Sequence, residues 1–203
     1  MNRHPNMRMT SAEFAAWLAR QPKKPTIAQK LPATPPQRSN RVNDGRAFED
    51  ALQSIFECYA AAGVMRVRKV EPPTRIVGTG AQRKVIFLAN PFLDFVGTWT
   101  QRKGAMLNIE AKSTSEPRLS INRAGGVSES QVRAIRDWSL AGAYAVVFWE
   151  WAGRLKIITP AEISVAVNTG RASLKWGDCP NEVEGGTGFE RWQIARTLSR
   201  LFP

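Results

Sequence analysis

The chain has a single histidine, His4, set in a polar N-terminal stretch. Serine–histidine catalysis, multi-histidine zinc sites and histidine-based nuclease chemistry therefore drop out as readings of the sequence. Cysteine is almost as scarce. Cys58 and Cys179 lie far apart and form neither a metal-ligand spacing nor a disulfide framework. Cys58 falls in an apolar helical pattern and is expected to be a buried thiol. Such cysteine usage suits a reducing cytoplasm, the expected location. No apolar run approaches a membrane span, and no charged-then-apolar leader pattern is present. Acids are in short supply as well. There are 17 Asp and Glu against 29 Lys and Arg, giving a formal net charge of +12. That surplus attracts polyanions and favours nucleic acid as partner, although charge alone does not separate DNA from RNA. Any catalysis has to rest on carboxylates and lysines, with or without a metal ion.

With 203 residues, 43% of them hydrophobic, the chain can bury one substantial core with appendages. Residues 1–41 read as a basic, largely flexible arm. Eight basic residues stand there against one acid, Glu13, and residues 21–37 are rich in proline and lysine. Within the arm, Thr10–Arg20 can form a short helix with Phe14, Trp17 and Leu18 on one face. The arm is basic and amphipathic like a mitochondrial presequence, but the proline–lysine tract fits a nucleic-acid-binding or docking tail better. Residues 42–158 are expected to be the core and 159–203 a C-terminal extension ending in a helix.

The core opens with a helix capped by Asn43 or Asp44, running to about Ala62 and ended by Gly63. Phe48, Leu52, Ile55, Phe56 and Tyr59 form its apolar stripe. Residues 64–70 alternate as a strand. The stretch 71–91 holds Pro72, Pro73, Gly78 and Gly80 beside Arg75, Arg83 and Lys84, and reads as a protruding basic ribbon or stalk. Strands at 93–100 and 105–112 follow, joined by a QRKG turn. Ser128 caps a helix over 129–140, with Val132, Ile135 and Trp138 inward. Residues 143–151 form a continuous apolar run, the mark of a strand covered on both faces. A strand at 154–158, a short helix started by Thr159–Pro160, a loop with Trp176 and a helix over 188–201 complete the chain. This order predicts an α/β fold, a central mixed sheet flanked by helices.

The chemistry concentrates in the 93–112 hairpin. Glu110 and Lys112 share one face of their strand, because strand residues two apart point the same way. Leu107, Ile109 and Ala111 take the other face. If Thr100 faces Gly104 across a three-residue loop, Asp94 stands opposite Glu110, with Cβ atoms about 5 Å apart. A one-residue slip would expose Phe95 and Ile109, so burial defends this pairing. Two such carboxylates repel unless a cation lies between them. Hard oxygen ligands with open coordination suit Mg²⁺, with Mn²⁺ as a substitute. The metal would polarise a phosphate and help generate hydroxide, while Lys112 stabilises growing charge or positions water. The structural alternative is a surface hairpin carrying a cross-strand charge cluster.

The segments PFLDFVGTW and LNIEAK resemble the PD-(D/E)XK nuclease motif, with Asp94 as first acid and Glu110-Ala111-Lys112 as second half. Leu93 stands where the strict motif has proline. The run from 43 to about 151 is similar, more narrowly, to RecU-type Holliday-junction resolvases, through NDGRAFED, KVEPPTRI, LDFVGTW, NIEAKST and the helix with Gln131 followed by AGAYAVVFW. The resemblance implies a restriction-endonuclease-like core. It also implies a metal-dependent, structure-selective endodeoxyribonuclease resolving four-way junctions by paired symmetric nicks, acting as a homodimer. It further implies that Glu49 helps Asp94 and Glu110 hold the metal or a water, and that Gln131 lies near the catalytic site. On spacing alone Glu49 fits a solvated helix face, and Ser128 with Gln131 fits a capping box. Arg75, Arg83 and Lys84 on the stalk, with Arg41 and Arg123, are the candidate phosphate contacts.

Three other functions compete. One is another endonuclease of the superfamily, of restriction or repair type. A second is a non-catalytic DNA-binding protein on the same fold, with salt-sensitive affinity. A third makes the seven tryptophans a stacking platform for single strands.

Overall fold

The computed structural model describes residues 41–71, 74–87, 93–123, 125–185 and 192–203. The arm and its short helix lie outside them.

The apolar stripe of the first helix does what its spacing predicts. In α1 (Arg41–Ala61), Phe48, Leu52, Ile55, Phe56 and Tyr59 are all buried. Gly63 takes a φ of 69° just beyond the helix, a conformation that favours glycine. The helix begins at Arg41, so Asn43 and Asp44 lie in its first turn and not at a cap. Strand β1 (Met65–Lys69) alternates buried and exposed residues along its first four positions. The ribbon follows as two antiparallel strands, β2 (Thr74–Val77) and β3 (Lys84–Phe87), with a 3₁₀ turn at Gly80–Gln82 between them.

Next come β4 (Phe95–Trp99) and β5 (Ala105–Thr114). Their turn holds a 3₁₀ segment at Thr100–Arg102, then Lys103 and Gly104 at positive φ. Phe95 pairs with Ile109 and Trp99 with Ala105, the register that buries both Phe95 and Ile109. A short strand β6 (Arg118–Ser120) precedes α2 (Glu129–Leu140), capped by Ser128 as expected. Strands β7 (Tyr144–Trp151) and β8 (Arg154–Ile158) lead to α3 (Pro160–Asn168). Then come β9 (Ser173–Lys175), β10 (Glu182–Val183) and α4 (Ile194–Leu201). The terminal helix starts later than 188 because Trp192 is still engaged in a bridge to Gly185.

The central sheet has the order β1-β4-β5-β7-β8-β10. Only β5 and β7 run parallel, so the sheet is mixed. Strand β7 is buried over Ala145–Trp149, as a strand covered on both faces must be. One face packs on α1 and α4 through Leu107, Ile109, Val146 and Phe148 with Phe56, Ile194 and Leu198. The other packs on α2 and α3 through Val147, Trp149 and Ile158 with Ile135, Ile163 and Ala166. The expected α/β class, a mixed sheet flanked by helices, is the architecture observed, and β2 and β3 form a separate two-stranded sheet.

Two details depart from expectation. Strands β6 and β9 pair with each other as a small separate sheet, which the loop reading of this region missed. Cys58 is half-buried at the flank of its helix stripe, whereas Cys179 is the buried thiol. Burial pushes the Cys179 thiol up to about 11, so it is held as the neutral thiol.

Candidate active site

Strand β5 sets the site by its period of two. Asn108, Glu110 and Lys112 point to one face, towards α2. The hairpin is fastened at its open end by two side-chain-to-backbone bonds. Leu93 N donates to Asn108 Oδ1 at 3.1 Å, and Ala111 N donates to Asp94 Oδ2 at 2.9 Å. Asp94 lies in a bend just ahead of β4, and the strand register carried one residue further sets it level with Glu110. Its carboxylate is thus anchored to the neighbouring strand's backbone.

Glu110 is only 1% exposed. A glutamate this deep needs partners, because burial disfavours its charged form. Two are present. Lys112 Nζ lies 2.6 Å from Oε1, and Gln131 Nε2 donates to the same oxygen at 2.5 Å. The carboxyl is nevertheless pushed up to about 8. Burial is the main cause; the Lys112 ammonium opposes it, and the adjoining Asp94 carboxylate adds to it. A surface charge cluster would not behave this way. Glu110 and Asn108 on this face are buried, while Asp94 and Lys112 are half-buried.

Gln131 reconciles two expectations that the sequence left open. Its Oε1 accepts from Ser128 N at 2.8 Å, and Ser128 Oγ accepts from Gln131 N at 3.3 Å, completing a capping box. Its Nε2 is thereby left for Glu110. Cap and site contact come from the two ends of one amide.

Glu49 is placed differently. On α1 it forms an ion pair with Lys69 at 2.8 Å. That pair raises the Lys69 pKa, first through the Glu49 hydrogen bond. Lys69 pairs with Phe95 across β1 and β4, and the next residue, Val70, donates its N–H to Asp94 O at 2.8 Å. Glu49 therefore approaches this end of the sheet through Lys69. Among the described residues no three His, Cys, Asp or Glu side chains are grouped to hold an ion.

The donor set that does fit a hard cation is the Asp94–Glu110 pair. Bonds from Lys112 and Gln131 both land on Glu110 Oε1, and that from Ala111 lands on Asp94 Oδ2. The two carboxyl groups also interact with each other, and a cation shared between them would relieve their repulsion. Two carboxylates with water and phosphate completing the shell is the usual Mg²⁺ arrangement.

The candidate phosphate contacts are spread out. Arg75, Arg83 and Lys84 are exposed on the β2–β3 hairpin, and Arg123 is exposed in the loop before α2. Arg41 opens α1, and its side chain lies outside the described atoms. Four of the six described tryptophans are buried, and Trp138 and Trp151 are half-buried against the core. Sequence reasoning missed Asn108 and Lys69. Asn108 had a signal, since it continues the 110–112 polar face by one period.

No protein-family model matches the chain, and no curated protein matches it. Among solved structures it is similar to Hjc, a Holliday junction resolvase from the archaeal hyperthermophile Archaeoglobus fulgidus. The two are 18% identical, over 58% of this chain and 74% of that one, with a TM-score of 0.38.

Proposed function

We propose that this protein is a metal-dependent endodeoxyribonuclease on a restriction-endonuclease-like core, and that it resolves four-way DNA junctions by paired nicks. One observation carries the reading. Glu110 is buried beside a second carboxylate, held by a lysine and an amide, with its proton affinity raised to about 8. Such a site is costly for a scaffold and useful to a protein that binds a cation.

A divalent cation on Asp94 and Glu110, Mg²⁺ or Mn²⁺, would polarise a phosphodiester oxygen and acidify a water. Lys112 favours the ionised form of Glu110 against the effect of burial and presents its ammonium at a half-buried position, where it can neutralise charge growing on the phosphate. Gln131 holds the Glu110 carboxylate in one orientation. The Asp94 side chain is fixed by Ala111 N, so the two acids are positioned before substrate arrives. Glu49, through Lys69, supports the same end of the sheet and can contribute to holding water there. The exposed cations of the β2–β3 hairpin, with Arg41 and Arg123, would contact phosphates without reading bases, as suits an enzyme selecting shape. A homodimer would place two such sites for symmetric cuts.

The test is cleavage of a labelled mobile four-way junction beside a linear duplex of the same sequence, with Mg²⁺ and with EDTA. Paired symmetric nicks on the junction alone, lost in EDTA, are expected. Equal cutting of both would leave a nuclease of restriction or repair type. Tight binding without cutting in either metal would leave a DNA-binding protein.

A further inference from the structure

The small β6–β9 sheet carries a pair of charges that the fold does not need. Arg118 pairs with Lys175, Leu119 with Leu174 and Ser120 with Ser173. Leu119 and Leu174 are buried, so the residues flanking them point outward. Arg118 and Lys175 therefore stand side by side on the outer face, both exposed. Like charges directly opposite each other across an antiparallel pair are destabilising.

Nothing among the described residues relieves them. Neither forms an ion pair there; Arg118 reaches only Ser173 Oγ, at 3.4 Å. Glu116 lines the same depression, about 440 Å³ in volume, together with Pro117, Trp176 and Gly177, yet it pairs with neither cation. The rest of the C-terminal region is handled differently. Arg154 is paired with Glu182, Arg171 with Asp178, and Arg196 and Arg200 with Glu184. Its other lysine, Lys156, is buried and donates to the carbonyls of Trp176 and Cys179. Against that background Lys175 stands out.

The pair also has a defined place. Strand β6 begins four residues after β5 ends, on the chain that has just supplied Lys112. Lys112 is level with Trp149 in the β5–β7 register, and the Trp149 ring packs on Trp176 at 4.9 Å. Trp176 follows Lys175 directly. The cation pair is thus one residue along the chain from a ring that packs on Trp149, the cross-strand neighbour of Lys112.

We infer that Arg118 and Lys175 form a phosphate-binding contact for the DNA backbone, flanking the Asp94–Glu110 site. The inference rests on the nuclease reading and adds to it a surface that the sequence did not single out. Two backbone phosphates, one against each cation, would remove their repulsion. Arg118 offers a planar fork of donors and Lys175 a point charge. The contact would be blind to sequence and would hold the strand in register with the site.

The experiment is junction and duplex binding in EDTA across a salt series, with wild type, Lys175→Glu, Lys175→Ser and Lys175→Arg, each also melted. Lys175→Glu places an acid opposite Arg118, so it should melt no lower than wild type while binding several-fold more weakly. Its log–log salt slope should be shallower by about 1.8, the value for two phosphate contacts. Lys175→Ser should lose about half of that slope, and Lys175→Arg should keep it. Wild-type slope and affinity in Lys175→Glu would overturn the inference and leave the nuclease reading standing. So would weaker binding matched by a lower melting temperature in both Lys175→Ser and Lys175→Glu. Absence of DNA binding by the wild type would overturn both.

Discussion

The side-chain amide of Gln131 donates to Glu110 from the first turn of a helix whose cap the same amide completes. The two roles can be separated experimentally. Ser128→Ala removes the hydroxyl that caps α2 but leaves the Ser128 backbone N–H that orients Gln131 Oε1. It should lower stability by about 1 kcal/mol and leave single-turnover cleavage nearly unchanged. Gln131→Ala removes the donor to Glu110 and should slow cleavage by about tenfold or more, at the ~1.4 kcal/mol equivalent of one charge-assisted hydrogen bond. Equal losses of cleavage in the two variants would assign the effect to the helix end and not to the amide.

The raised Glu110 pKa sets a pH dependence of stability. The carboxyl is held at about 8 in the folded protein against an ordinary value of 4.5. Between those values the folded state binds more protons than the unfolded one, so stability falls as pH rises. The stabilisation is complete below 4.5 and gone above about 8. For one proton the slope is at most about 1.4 kcal/mol per pH unit. Denaturant melts across this window should show the decline in wild type and its loss in Glu110→Gln. Mg²⁺ added near the upper end should recover stability in wild type alone, because it binds the ionised pair.

Gly97 fixes how closely β1 approaches β4. A Cβ there would lie 2.0 Å from Arg66 O and 2.5 Å from Val67 Cα, both backbone atoms. Gly97→Ala must therefore push the edge strand away and disturb the Phe95 end that carries Asp94. A loss of about 1–3 kcal/mol is expected by chemical denaturation, as for an overpacked core position.

The β2–β3 hairpin pairs only with itself, and Arg75, Arg83 and Lys84 are exposed on it. Replacing residues 74–87 by a short glycine–serine link should leave the melting temperature close to that of wild type. Junction cleavage should fall by about tenfold or more at moderate salt, the loss expected from three phosphate contacts, with duplex cleavage less affected. A parallel fall on both substrates would mean that the hairpin is a general DNA contact and not a junction-selecting one.

Much of this arrangement was legible in the sequence because burial enforces it. The Phe95–Ile109 register followed from the exposure that a one-residue slip would cause, and β7 followed from an unbroken apolar run. The depth of Glu110 was not legible. Its strand reads as having one polar face, but α2 reaches that face through Gln131, which depends on tertiary packing. The partner chosen by Glu49 was hidden for the same reason: Lys69 lies twenty residues away, and no local spacing joins them. Strands β6, β9 and β10 are three residues or fewer, too short for a period of two to register.

The most direct test of the Asp94–Glu110 site is cleavage and binding by Asp94→Asn. Asparagine keeps a carbonyl oxygen to accept from Ala111 N, so the hairpin stays fastened while one acid charge is lost. The account predicts a folded protein that no longer cuts a four-way junction in Mg²⁺ and binds it as tightly as wild type or more so, because repulsion between acid and phosphate is reduced. Wild-type cutting by this variant, or a loss of binding alongside cutting in a folded protein, would contradict it.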